Sequence, residues 1–181
     1  EHQQQSEFLA STDQWFRPVN VRVGPDGGLY ISDMYREIIE DYSAIPRFLQ
    51  QQYGVAYGDK HGRIWRLVSA EKPSREIENL NAKSSADLVP YLADGDSWWR
   101  ETAQRLLIER KDDTVIPAIR QIAREGRTPQ AKIHALHTLA GLDALTADDP
   151  LSGLMDADYT VRVHAMQLAE PFLDTSDTLR S

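Results

Sequence analysis

Residues 16–33, FRPVNVRVGPDGGLYISD, constrain the chain more than any other stretch. Val19, Val21 and Val23 alternate with Asn20 and Arg22, the period of a half-buried strand. Gly24-Pro25-Asp26-Gly27-Gly28 then supplies a tight turn. Pro25 presets a negative φ, Asp26 can hydrogen-bond its own backbone, and a glycine accepts φ > 0. Leu29-Tyr30-Ile31 is a second apolar strand ending at Ser32-Asp33. The pattern predicts a β-hairpin. Two strands alone are marginal in water, so the hairpin must belong to a larger sheet. A third strand is expected at Gly62–Val68, with Ile64 and Arg66 on one side and Arg63, Trp65 and Leu67 on the other. A fourth is expected near residues 53–57.

The segment Tyr35–Lys60 is long for a loop inside a compact domain. Ile45–Tyr53 reads as a short helix or ordered excursion, and Tyr53–Asp59 as a return to the sheet. Such an insertion is the preferred substrate- or partner-facing segment. Upstream, Glu1–Gln5 reads as a loop, and Trp15 and Phe16 as packing residues.

Beyond Ala70 the period changes from strand-like to helical. Residues 71–83 read as a linker. Ser84 and Asp87 are spaced as a capping box that starts a helix. WWRETAQRLLIER from Trp98, AKIHALHTLAGL from Ala131 and TVRVHAMQLAEPF from Thr160 then align. Ala103, Ala135 and Ala165 fall in register, with spacings of 32 and 30 residues. Arg100, Lys132 and Arg162 precede them; Leu107, Leu139 and Ala169 follow. Partner helices are expected at 85–93, 114–124 and 149–155. A recurring period of this size signals three HEAT-type repeats of an α-solenoid, the last cut short by Pro171. Trp98 and Trp99 are expected to seal the junction with the strand region.

The 181 residues carry 20 basic and 28 acidic side chains, a net charge of −8 that argues against a nucleic-acid or anionic-membrane surface. The absence of cysteine removes disulfides, thiolate metal sites and a CxxCH haem attachment from this chain. No apolar run reaches the length of a membrane span. The chain opens on Glu1 in polar sequence and reads as a piece of a larger protein. His2, His61, His134, His137 and His164 are scattered, so no metal site is expected. His134 and His137 share a helix face, with no third ligand evident. No nucleophile–base arrangement and no phosphate-cradling glycine loop stands out.

Three segments carry a family resemblance: FRPVNVRVGPDGGLYISDMY, HGRIWRL and DSWWRETAQRLLIER. The first two resemble a blade of the glucose/sorbosone dehydrogenase type of β-propeller. Together, and in this order, they resemble the large membrane-bound-dehydrogenase-type proteins of planctomycetes and verrucomicrobia. In those, a propeller precedes HEAT repeats and a cytochrome c-like haem domain. The resemblance implies an α+β chain with terminal β-propeller blades over 1–70, a linker over 71–83 and HEAT-like repeats over 84–181. It implies an oxidoreductase acting on sugars or alcohols and passing electrons to a haem domain outside this chain. Pyrroloquinoline quinone and Ca2+ would serve the parent protein, with no cofactor in this chain. The implied partners are neighbouring blades and the cytochrome c-like domain, in a periplasmic or secreted setting.

Four residues are candidates for a cofactor-binding site. Arg17 is either a strand-entry cation paired with a carboxylate or a contact for an anionic ligand. Asp33 either caps the next turn or binds a ligand. Tyr35 stands where the family commonly has Asp-Trp-Tyr, but Met34 replaces the Trp. His61 at a strand entry is either structural or catalytic. Catalytic residues stay unassigned. The alternative to an oxidoreductase is a non-catalytic interaction scaffold, in which the solenoid's concave face holds a partner.

Overall fold

The structure, a computed structural model, describes residues 7–37, 45–53 and 57–180. The chain divides into two compact units, Glu1–Arg75 and Glu76–Ser181, called here the strand unit and the helical unit. Among the described residues it contains eight α-helices and a single three-stranded antiparallel sheet.

In the strand unit, β1 (Pro18–Val23) pairs with β2 (Leu29–Asp33), and β2 with β3 (Arg63–Leu67). The register sets Val21 opposite Ile31 opposite Trp65, and Asp33 opposite Arg63. A β-bulge interrupts β1 between Pro18 and Asn20. The hairpin turn forms where the glycines demand it. Gly27 sits at φ 76°, and its N–H donates to the Gly24 carbonyl at 3.0 Å. A Cβ on Gly24 would lie 2.3 Å from the Tyr30 ring, so a side chain there would have to displace that ring. Helix α1 spans Arg47–Tyr53.

This sheet corrects the propeller expectation. A propeller blade is a four-stranded sheet covered on its faces by neighbouring blades. Here the sheet has three strands with β1 and β3 as its outer members, and all six residues of β1 are exposed. Alternating valines made a strand legible but say nothing about what covers it. Of the expected fourth strand, Tyr53 ends α1 and residues 57–60 form a turn, while 54–56 lie outside the described residues. Glu1–Gln5, expected as a loop, also lies outside them.

The helical unit comprises α2 (Ser85–Leu88), α3 (Ser97–Arg110), α4 (Ile116–Glu125), α5 (Pro129–Gly141), α6 (Asp148–Leu154), α7 (Tyr159–Ala169) and α8 (Asp177–Arg180). Three of the long helices begin where a side chain satisfies an orphan N–H, while α4 follows a 3-10 turn and has no side-chain cap. Asp96, Thr128 and Asp158 cap α3, α5 and α7, accepting from Trp98, Ala131 and Thr160. Ser84 caps α2 by accepting from the Asp87 N–H. Ahead of α3 and α7 the chain repeats a local device. Asp94 accepts from the Asp96 N–H, and Arg100 donates back to the Asp94 carbonyl at 2.7 Å. Asp156, Asp158 and Arg162 do the same, the last bond at 2.8 Å.

That equivalence is local and does not extend to a stack of like repeats, so the HEAT-type solenoid is also corrected. In a solenoid each repeat contacts only its neighbours. Here helices of unequal length enclose one hydrophobic cluster running from Leu80 through Leu92, Trp99, Leu107, Ile119, Leu136 and Leu139 to Val161. Helix α5 packs against α3, α4 and α7. The expected first helix at 85–93 is a single short α-helix followed by a 3-10 turn at Val89–Ala93. The aligned residues Ala103, Ala135 and Ala165 are fully buried, which explains the periodic signal without a solenoid. Trp99 lies wholly inside this core, stacked on Tyr91 at 5.6 Å and edge-on to Trp98 at 5.2 Å.

Candidate functional site

The four candidate residues meet at one corner of the sheet. Asp33 closes β2, and the pairing sets Arg63 directly across from it. Trp65 lies two residues further along β3, on the same face. The Asp33 side chain is fully buried and accepts four hydrogen bonds. Oδ1 takes the backbone N–H groups of Arg17 at 2.8 Å and Tyr35 at 2.9 Å. Oδ2 takes Arg63 Nε at 3.1 Å and Trp65 Nε1 at 3.0 Å. Burial alone would raise the pKa of this carboxyl. The Arg17 N–H, the Trp65 and Arg63 side chains and the Tyr35 N–H outweigh it and hold the value at about 2.

Around the carboxylate lies a shell of aromatic rings and one cation. Arg63 reaches on to Asp13 Oδ2 at 3.0 Å. Its guanidinium sits 3.9 Å from the centre of the Tyr35 ring and 4.8 Å from that of Trp65. Tyr35 adopts φ 51°, a left-handed conformation that its N–H bond to Asp33 helps to hold. Its ring meets Trp15 edge-on at 5.5 Å and His61 at 6.1 Å, and Trp15 stacks on Tyr57 at 6.5 Å. Arg17 contributes its backbone N–H to Asp33. Its guanidinium turns to the carbonyls of Gln14, Phe16 and Glu37, and among the described residues no carboxylate pairs with it. His61 enters only through its ring.

A second carboxylate fixes the hairpin end. Asp26 is buried and accepts from the Gly28 N–H at 3.0 Å, from Tyr30 Oη at 3.2 Å and from the Arg66 guanidinium. The Gly28 bond, against the opposing effect of burial, leads the lowering of its pKa. Arg66 also donates to Ser74 Oγ, and the Arg75 N–H to the Asp26 carbonyl, both at 3.0 Å, which ties the end of the unit to the turn.

Sequence reasoning singled out Arg17, Asp33, Tyr35 and His61 as candidates and passed over Arg63, Trp65, Asp13 and Trp15, which share this corner. The signal for the first two was available: Arg63 and Trp65 face one side of a strand, opposite the end of β2. Register was the missing piece. An ionised carboxylate has about four acceptor positions, and all are filled here. With its low pKa, Asp33 therefore acts as a permanent anchor for four donors.

In the helical unit, the buried Asp149 accepts from Arg120 Nε at 2.9 Å and from the N–H and hydroxyl of Thr146 at 3.0 and 2.9 Å. His134 Nδ1 meets Gln104 Oε1 at 2.6 Å. His137 Nε2 meets His164 Nδ1 at 3.0 Å. Among the described residues no three His, Cys, Asp or Glu side chains converge as a metal site, and no helix is long and apolar enough to cross a membrane.

A family model described as a domain of unknown function, DUF7133, matches residues 1–71. Comparison with curated proteins and with solved structures finds no match. The matched stretch contains the three strands, both aspartate anchors and the aromatic shell, and none of the helical unit.

Proposed function

We propose that this chain is a non-catalytic interaction module whose strand unit meets a partner protein. The observation that carries this reading is the saturation of Asp33. A carboxylate whose acceptor positions are all taken by Arg17, Tyr35, Arg63 and Trp65 neither shuttles a proton nor receives a ligand without dismantling the sheet corner. The same sheet displays apolar surface: Val19, Val21, Ile64 and Trp65 are 60%, 52%, 70% and 43% exposed. The net charge of −8 supports a protein partner over a nucleic acid.

A second reading has the convergence of Arg17, Asp33, Tyr35 and His61 in its favour, together with the sequence resemblance. In it the chain is part of a dehydrogenase-type oxidoreductase of the periplasm or cell exterior. The parent protein carries pyrroloquinoline quinone and Ca2+ and hands electrons to a cytochrome c-like domain. Titration of the full chain with the quinone and Ca2+, followed by fluorescence of its four tryptophans, separates the two. The module reading expects no saturable change. Saturable micromolar binding that weakens in Asp33→Asn overturns it in favour of the oxidoreductase.

A further inference from the structure

We propose that His137 and His164 form a two-imidazole clamp for a divalent transition-metal ion of the zinc or nickel class, joining α5 to α7. His137 Nε2 and His164 Nδ1 face each other at 3.0 Å, with the rings crossed at 85° and their centres 5.0 Å apart. In a neutral pair at this distance one nitrogen donates a proton and the other accepts it. A metal in place of that proton binds each nitrogen at about 2.0–2.1 Å, which at a tetrahedral angle sets the nitrogens about 3.3 Å apart. The gap needs to open by a few tenths of an ångström, and each ring must pivot so that both lone pairs converge on the ion. The broad χ2 torsion of histidine supplies that movement.

The surroundings suit such an ion. Burial, and then the neighbouring His164, hold the His137 pKa below its ordinary value. Both rings are only partly buried, which leaves the outer coordination positions to water. No third His, Cys, Asp or Glu among the described residues completes the set, so binding belongs to the labile class and not to that of closed structural zinc. Imidazole donors in a chain without cysteine select borderline ions over soft ones. His134, one turn before His137, is engaged elsewhere through Gln104.

The test uses the full chain stripped with chelator and titrated with Zn2+ and with Ni2+ by calorimetry and thermal melting. The expected result is one saturable site and a rise in Tm that saturates with it. Affinity should fall at least tenfold in His137→Gln and in His164→Gln and stay within twofold in His134→Gln. No saturable binding, unchanged affinity in both clamp variants, or an equal loss in His134→Gln overturns the proposal. Should a clamp variant fail to fold by circular dichroism, imidazole 15N shifts of the unmodified chain decide. Zn2+ must move the His137 and His164 signals ahead of the His134 signal, and the reverse order refutes the site.

Discussion

The two units hold themselves together by different means. In the strand unit Ile31 is the one hydrophobic side chain among the described residues that is buried; the other buried side chains there that carry charge are Asp26 and Asp33. The helical unit closes a continuous cluster that includes Trp99, Leu88, Leu92, Ile119 and Leu136 at or below 1% exposure. Fully burying one such side chain contributes about 1.5–3 kcal/mol. The sheet has no comparable reserve and relies on anchored polar groups, each worth less but directional. A hydrocarbon core is sensitive above all to lost or added volume, even when no charge changes. A carboxylate lock fails on the loss of an acceptor even when shape is kept.

The largest expected effect follows from volume. Trp99→Ala empties the centre of the helical core and should cost about 3–5 kcal/mol. Melts followed by helical circular dichroism should drop steeply, while the strand unit keeps its exchange protection. Next comes the lock. Asp33→Asn keeps the shape but turns one acceptor into a donor facing donors, and each donor left unpaired costs about 1–3 kcal/mol. The loss should be confined to the strand unit in denaturant titrations read by limited proteolysis. A smaller effect is expected of Ala135→Leu, because overpacking at the fully buried Ala135 costs about 1–3 kcal/mol. Ala144→Leu, at a partly buried position, should be milder, and the two rank in that order in thermal melts.

Acid sharpens the contrast in its timing. Asp33 has a folded pKa of about 2 against an ordinary value of 3.8. Its contribution is therefore complete above about pH 4 and is lost as pH falls toward 2. His134 has its pKa lowered from 6.5 to about 4, by burial first and then by Arg100, with His137 and His164 adding. The neutral form is the one that packs, so its contribution is complete above 6.5 and drains between 6.5 and 4. On acidification the helical unit should soften first, and His134→Gln should shrink that early phase in a pH titration of stability, with His137, whose pKa is also lowered by burial, supplying the rest.

Much of this was legible locally. The alternation of Val19, Val21 and Val23, the glycine turn and the Ser84–Asp87 spacing each depend on neighbours in sequence, and each formed. The errors arose where an inference needed distant pairing. Alternation in β1 implied a covered face, yet all six residues are exposed, and the propeller inference went with it. Ala103, Ala135 and Ala165 recur because three helices each bury a small residue, a demand that one shared core meets as well as a solenoid does. Asp33 could be picked out as a strand-end carboxylate, but its role depends on the register with Arg63, which no local pattern encodes. Arg17 was chosen for its cation, and it is the backbone N–H that reaches Asp33.

The most direct test is amide hydrogen exchange of the full chain against Asp33→Asn under native conditions. Protection should collapse across 18–23, 29–33 and 63–67 and stay unchanged across α3, α5 and α7. Equal protection in both proteins, or a loss spread evenly over the sheet and the helices, would contradict a strand unit held by its carboxylate.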